Sequence, residues 1–273
     1  MHLNDTEIRH RNAGTSSDLV LGVRMEVETE QDYAWSQFEQ NIKRDVPWLS
    51  RQPENDKLAI VCGAAPSLTG HIEDIAAKQA DGALVYACNS AAGVLVRGGV
   101  IPDYQVFLDP HAIMINDFEF KAKCHLLASL VHPALFDFAE NAILWHPAQQ
   151  DVIDATKDID KEFTYIGGGV SVAMFSLCIA YAMGHRAIDA YGIDSSYSGA
   201  MYANGRGEDY YSHGGLLVVD IEHAGRTFKT TWDMKQQVQT FLKLAHALKQ
   251  VGVPIRVHGD GLLPHAYKFP QQE

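Results

Sequence analysis

The chain contains no apolar run near the roughly 20 residues that a membrane-spanning helix needs. Its opening residues, MHLNDTEIRHRNAG, are too polar for a signal peptide, so the expectation is a cytoplasmic protein. Basic residues are scarce: 22 lysines and arginines stand against 34 aspartates and glutamates among 273 residues, a formal net charge of -12. With no local basic stripe, an extended nucleic-acid surface is excluded. The four cysteines, Cys62, Cys88, Cys124 and Cys178, show no CxxC spacing and fall in apolar stretches, which points to buried thiols rather than a zinc site or a disulfide framework. There are 13 histidines but no HExxH or HxH pair, so a metal–histidine centre is not indicated. GxxxxGK[ST] and GxGxxG are missing too, which counts against a P-loop kinase and a standard dinucleotide dehydrogenase.

What is present is globular. A hydrophobic content of 47% with 10% aromatics is enough to bury a core. Residues 1–56 are charged, weakly periodic and end in the breaker-rich Arg51-Gln-Pro-Glu-Asn-Asp56, and they read as a partly helical N-terminal appendage. Within it, Gln31 to about Ile42 could set Tyr33, Trp35, Phe38 and Ile42 on one apolar side for docking. From residue 57 to 273, short apolar runs alternate with helix-like stretches, which predicts an α/β, Rossmann-like, doubly wound, mainly parallel sheet with helices on both faces. The expected strands are Leu58–Cys62, Ala83–Cys88, Tyr104–Leu108, His125–Leu130, Ala142–Trp145, Phe163–Ile166, Ala187–Tyr191 and Pro254–His258. Val170–Met183 is apolar on nearly all sides and reads as a deep helix, whereas Asp233–Val251 carries one apolar stripe. The glycine- and tyrosine-rich stretch at about 195–231, with one strand-like run at Leu216–Ile221, reads as a lid insertion.

Open parallel sheets bind ligands beyond the carboxyl ends of their strands, where loops and helix N-termini converge. The expected strands end in Gly63-Ala-Ala-Pro-Ser-Leu68, Asn89-Ser90, Asp109-Pro-His111, Gly167-Gly-Gly-Val-Ser171 and Gly192-Ile-Asp194. The Gly63 loop lacks side-chain bulk at its start, so its N–H groups could approach a phosphate with Ser67 adding a hydroxyl; a tight strand-to-helix turn explains it equally well. Gly167, Gly168 and Gly169 cost conformational entropy, which favours close approach of a ligand or of another backbone, with Ser171 as N-cap or ligand. Asp109 and Asp194 each follow an apolar strand, and either could hold Mg²⁺ or a ribose hydroxyl, act as a base, or cap the next helix. Tyr197, Tyr202, Tyr210 and Tyr211 offer hydroxyls that could donate to a leaving phosphate, although such tyrosines more often pack or gate.

The order Gly63-Ala-Ala-Pro-Ser-Leu68, Ala87-Cys-Asn89, Gly99-Val-Ile-Pro-Asp-Tyr104 with Asp109, Gly167-Gly-Gly-Val-Ser171 and Tyr191-Gly-Ile-Asp194 resembles the 6-hydroxymethylpterin diphosphokinase MptE-like family. That Rossmann-like group also includes motility-accessory glycosyltransferases, and the order is similar, more distantly, to bacterial CMP-sialic acid-dependent sialyltransferases. The likeness runs from about residue 57 to about 268. It implies that Gly63, Pro66 and Ser67 line nucleotide phosphates and that Asn89 contacts the nucleotide. Asp109 would sit near a metal or sugar, Gly168, Gly169 and Ser171 would close the opposite wall, and Asp194 would lie at the centre. Tyr202 falls at the second of two sialyltransferase tyrosine positions, whereas the first is Ser196 with Tyr197 beside it, a departure that weakens sialyl transfer itself. Ala64-Ala65 is a second departure, since these families more often carry a further glycine or polar residue there.

Three functions follow as expectations. The first is a nucleotide-dependent transferase resembling the diphosphokinase, moving diphosphate from ATP to a hydroxymethyl acceptor with Mg²⁺ on Asp109 and Asp194; its alternative is transfer of a sugar from a nucleotide-sugar donor such as a CMP-sugar to a small-molecule acceptor. The second is a non-catalytic nucleotide-binding module, because few cations lie near the loops; Arg97, Arg186 and Arg206 are nearest in sequence. An NAD(P)-linked oxidoreductase ranks last for want of its fingerprint.

Overall fold

The computed structural model describes residues 19–20, 31–119, 122–169, 171–198 and 218–270. In chain order the elements are β1 (Leu19–Val20), α1 (Gln31–Asn41), β2 (Asn55–Cys62), α2 (Ile72–Ala80), β3 (Leu84–Cys88), α3 (Ala91–Arg97), β4 (Tyr104–Phe107), β5 (Cys124–Ala128), α4 (Ala134–Phe138) and β6 (Ala142–Pro147). There follow α5 (Gln150–Thr156), β7 (Tyr165–Ile166), α6 (Val172–Ala182), β8 (His185–Tyr191), β9 (Val218–His223), β10 (Arg226–Thr231), α7 (Trp232–Gln250), β11 (Ile255–Val257) and α8 (Leu262–Lys268). Two 3₁₀ turns, Pro66–His71 and Ala112–Asp117, follow β2 and β4.

Nine strands form one sheet in the order β1-β7-β6-β5-β4-β3-β2-β8-β11, and every pair in it is parallel. From β2 the chain winds outward strand by strand to β7, then returns through α6 to β8 on the other side of β2. The direction of winding reverses there, so the topological switch point lies between β2 and β8. Alternation along β2 serves both faces: Ala59 and Val61 enter the core under α6 and α7, and Ile60 and Cys62 enter the core under α2 and α3. Fully apolar strands and helices on both faces are two sides of one requirement, because a parallel sheet leaves neither face wet.

Helix α6 is the pivot. Nine of its eleven residues are buried, and it packs against β2, β3, β4, β7 and β8. A helix apolar all round needs partners all round, and the sheet supplies them by curling about it. All eight expected strands are present with ends shifted by up to three residues, and β1 and β10 are additions. β10 pairs antiparallel with β9, so the described part of the expected lid is a hairpin turning at Ala224-Gly225. Residues 199–217, which hold Tyr202, Tyr210, Tyr211 and Arg206, lie outside the described residues.

The N-terminal stretch is attached to the same sheet. Phe38 and Ala34 pack with Leu130, Val152, Phe163 and Tyr165, with Trp35 and Ile42 beside them, as the apolar side expected for α1 requires. Trp48 bridges to Leu144 in parallel, and Leu49 is part of the main core. Among the described residues no helix is long and apolar enough to cross a membrane.

Candidate functional site at the carboxyl edge

The loops after β2 and β8 start side by side, since Cys62 is in register with Tyr191. Gly63 N–H donates to Tyr191 O at 2.9 Å and Ala65 N–H to Gly192 O at 3.0 Å. A Cβ on either Gly63 or Gly192 would fall on the other residue's carbonyl oxygen, and Gly192 also has φ +61. Glycine is therefore required at this crossing by backbone contact.

The crossing sets Ser67 against Asp194. Ser67 N–H donates to Asp194 Oδ2 at 3.1 Å, and Ser67 Oγ–H donates to Oδ1 at 2.5 Å. Gly259, after β11, closes over the pair: a Cβ there would lie 2.7 Å from Ser67 Oγ and 3.1 Å from Asp194 Oδ1. Asp194 is 3% exposed, and burial raises its carboxyl above the ordinary value against the opposing pull of the two Ser67 hydrogen bonds. The Gly63 loop was expected to cradle phosphate, yet the N–H groups of Gly63, Ala65 and Ser67 are all spent on the β8 side, and Pro66 has none. The Asp194 carboxylate takes the place an anion would take at this turn.

Asn89 and Ser90 follow β3. Asn89 adopts φ 45, left-handed backbone that asparagine tolerates better than most residues with a side chain. Its backbone is held by Asn89 N–H donating to Val106 O at 3.1 Å and by Gln105 Nε2 donating to Asn89 O at 3.0 Å. Asn89 Oδ1 is buried and has no hydrogen-bond partner among the described residues, a state that costs free energy unless a ligand or water relieves it. Ser90 stands at the N-cap of α3 without capping it through its side chain. Ser195, after Asp194, has φ 50, so two of the three non-glycine residues at positive φ among those described sit on this edge.

The Gly167–Gly169 run is largely explained by packing. A Cβ at Gly168 would strike Phe175, and one at Gly169, where φ is +80, would strike Thr240 of α7. The close approach expected there is made by neighbouring side chains. Ser171 is the N-cap of α6 and makes no side-chain cap bond. Instead Gln237 Nε2 donates to Ser171 Oγ at 2.7 Å, while Ser195 Oγ–H donates to Gln237 Oε1 at 2.7 Å. Through this one amide the curl brings the β7 and β8 loops together, although five strands separate them in the sheet.

Asp109 stands apart. Its Oδ1 accepts the His111 N–H at 2.9 Å, a local turn bond. β4 and β8 are three strand positions apart. Among the described residues no group of three or more His, Cys, Asp or Glu side chains converges to hold a metal, so no third ligand of that kind stands beside the pair expected to hold Mg²⁺.

A charged cluster beside the switch point escaped the sequence reading. Asp189 of β8 is fully buried and accepts from Arg256 Nε at 2.5 Å and Lys78 Nζ at 3.0 Å. Lys78 also reaches Asp74 and Tyr191 Oη, and the His258 ring stacks on Tyr191 at 4.1 Å between centroids. Burial lowers His258 below its ordinary value despite Asp189 beside it. The i,i+2 spacing of Arg256 and His258 on a strand was a usable signal; Lys78 and Gln237 sit on helices that nothing in the sequence ties to this edge. A cavity of about 500 Å³ lined by Trp48, Tyr104, Ile143 and Met183 lies at the amino ends of the strands and touches none of these groups.

Three comparisons bear on this arrangement. The sequence profile of the family described as 6-hydroxymethylpterin diphosphokinase MptE-like matches residues 34–200. The match thus begins inside α1, ahead of the residue 57 expected from the motifs. No curated protein sequence matches the chain. Among solved structures, the MAf glycosyltransferase from Magnetospirillum magneticum AMB-1 superimposes with TM-score 0.65 at 18% identity, covering 84% of this chain and 38% of that one. The chain therefore spans well under half of that protein's length, and the likeness is one of fold. The sialyltransferase CstII from Campylobacter jejuni, solved in complex with a substrate analogue, cytidine-5'-monophosphate, gives TM-score 0.40 at 13% identity over 76% of this chain and 82% of that one.

Proposed function

The chain belongs to the 6-hydroxymethylpterin diphosphokinase MptE-like family, and on that premise we propose that it is a nucleotide-dependent group transferase whose nucleotide lies along the carboxyl edge above β3, β2 and β8. The observation that carries this reading is Asn89. A buried Oδ1 with no partner among the described residues, one strand from the switch point, is an acceptor that a donor such as a ribose hydroxyl or a base amino group would satisfy. Ser171 offers a hydroxyl from the far wall. Ser67 and Asp194 hold the β2 and β8 loops in place, and Gly63 lets them approach. Tyr202, the hydroxyl suggested by the more distant sialyltransferase similarity, belongs to the same proposal.

For the reaction, the donor set supports a nucleotide sugar ahead of ATP. Departure of a nucleotide phosphate is helped by hydroxyl and N–H donors placed where charge develops; with the Ser67 and Ser195 protons spent on Asp194 and Gln237, the Ser171 hydroxyl is a donor this edge has left for that task. Diphosphate transfer from ATP to a hydroxymethyl acceptor is the second reading, favoured by the family's own description. It calls for Mg²⁺ to neutralise the moving phosphates, an ion that Asp109 and Asp194 would hold.

Thermal-shift titration with CMP, CDP, UDP, GTP and ATP, each with and without Mg²⁺, tests both. A ligand at 100 times its Kd stabilises by about 2.7 kcal/mol, about 5–11 °C in a domain of this size. At least one nucleotide should produce such a shift, and Asn89→Ala should cut it. A CMP- or UDP-dependent shift that survives EDTA supports the sugar donor, and a shift seen only with ATP and Mg²⁺ supports the diphosphokinase. No shift with any nucleotide overturns the proposal.

A further inference from the structure

Gln237 projects from the second turn of α7 and, alone among the described residues, touches both the loop after β7 and the loop after β8 by side-chain hydrogen bonds of 2.7 Å. Its two ends are chemically different, and that difference propagates. A serine hydroxyl has one proton and two lone pairs. Ser195 spends its proton on Gln237 Oε1, so what remains at Ser195 Oγ is acceptor capacity. Ser171 accepts a proton from Gln237 Nε2, so what remains at Ser171 Oγ is its own proton together with a lone pair. Ser171 makes no bond to the first N–H groups of α6, and Ser195 is further pinned by Thr230 Oγ1 donating to Ser195 O at 2.9 Å. We propose that Gln237 is a positioning residue that fixes the polarity of the ligand-facing hydroxyls, making Ser171 a donor and Ser195 an acceptor. The proposal rests on the nucleotide reading above and sharpens it: the ligand presents an acceptor oxygen, phosphoryl or carbonyl, to the Ser171 wall and a hydroxyl or amino donor to the Ser195 wall.

The isosteric variant Gln237→Glu isolates the polarity. A carboxylate accepts at both ends, so Ser195 keeps its bond while Ser171 must turn its proton to the carboxylate and has none for the ligand. Ser171→Ala should weaken nucleotide binding about tenfold in the wild-type background, the scale of one lost hydrogen bond. In the Gln237→Glu background the same change should cost nothing further, because the donor is already withdrawn. Repulsion between the new carboxylate and a phosphate would give losses that add, and titrating cytidine and adenosine beside CMP and ATP reads the polarity free of phosphate charge. Gln237→Met, uncharged and of similar length, supplies the same comparison should Gln237→Glu fail to fold, with the Ser171→Ala cost reduced rather than abolished. Non-additive losses with melting temperatures held within a few degrees support the assignment. Additive losses, or a Ser171→Ala variant that binds as well as wild type, overturn it while leaving nucleotide binding intact. A wild type that binds no member of the panel overturns the functional reading, and this assignment with it.

Discussion

If the Gly63–Gly192 crossing positions the site, a single methyl group there should be felt in proportion to what it meets. Gly63→Ala directs a Cβ onto the Gly192 carbonyl oxygen, a backbone atom that cannot rotate away, so the β2 and β8 loops must separate. Forcing a group into a filled space costs about 1–3 kcal/mol, and about 2 kcal/mol corresponds to a fall of about 4–8 °C in melting temperature. Gly192→Ala meets the Gly63 carbonyl and must also hold φ +61; the added backbone strain of about 1 kcal/mol brings the loss to about 6–12 °C. Two controls separate the causes. Gly82 has φ +98 and open space around it, so Gly82→Ala should show strain alone, about 2–4 °C. Gly70 has neither a close neighbour nor a positive φ, so Gly70→Ala should melt at or slightly above wild type. Scanning calorimetry of the four variants gives the order Gly70, Gly82, Gly63, Gly192. If Gly63→Ala melted with Gly70→Ala, the crossing would be slack and the tight seating of Ser67 on Asp194 would lose its cause.

Two further outcomes follow from buried titratable groups. Burial pulls His146 down to about 3, below its unfolded value, so its contribution is present above about pH 6.5 and is lost as pH falls, by about 2 kcal/mol at pH 5 and about 4–5 kcal/mol by pH 3. His146→Phe, placed among Phe38, Trp48 and Phe163, should flatten urea-derived stability between pH 7 and 4.5, and an unchanged slope would refute the assignment. Asp194 is raised by burial, so its stabilising share is present below the unfolded carboxyl value and fades as pH climbs through the folded one. Asp194→Asn, which can still exchange both hydrogen bonds with Ser67, should therefore melt within about 2 °C of wild type or above it at pH 7 and keep its nucleotide-induced shift; a large loss of stability at pH 7 would refute the raised carboxyl.

Much of the edge was legible because the sheet is parallel and buried. In such a sheet the short apolar runs that alternate with helical stretches are strands, and the polar residue that follows such a run lies at the carboxyl edge, as Asn89, Asp109, Ser171 and Asp194 do. Distances between those ends were not legible, because they depend on strand order. Adjacent β2 and β8 bring Ser67 and Asp194 to 2.5 Å, whereas Asp109, three strand positions from β8, bonds locally to the His111 N–H. The glycine run at 167–169 carried a real signal of close approach, and only the packing of Phe175 and Thr240 against it identified what approaches.

By itself the sequence determined the fold class, the edge on which the polar groups gather, the central helix α6 and the family motifs, since each depends on local periodicity or on residues within one loop. Tertiary structure alone decided that the Gly63 loop turns its N–H groups to β8 and that Asp189 gathers Lys78, Arg256 and His258. It also decided that Gln237 joins two loops five strands apart. These are contacts between segments distant in the chain, set by the curl of the sheet around α6, and no local pattern encodes that curvature.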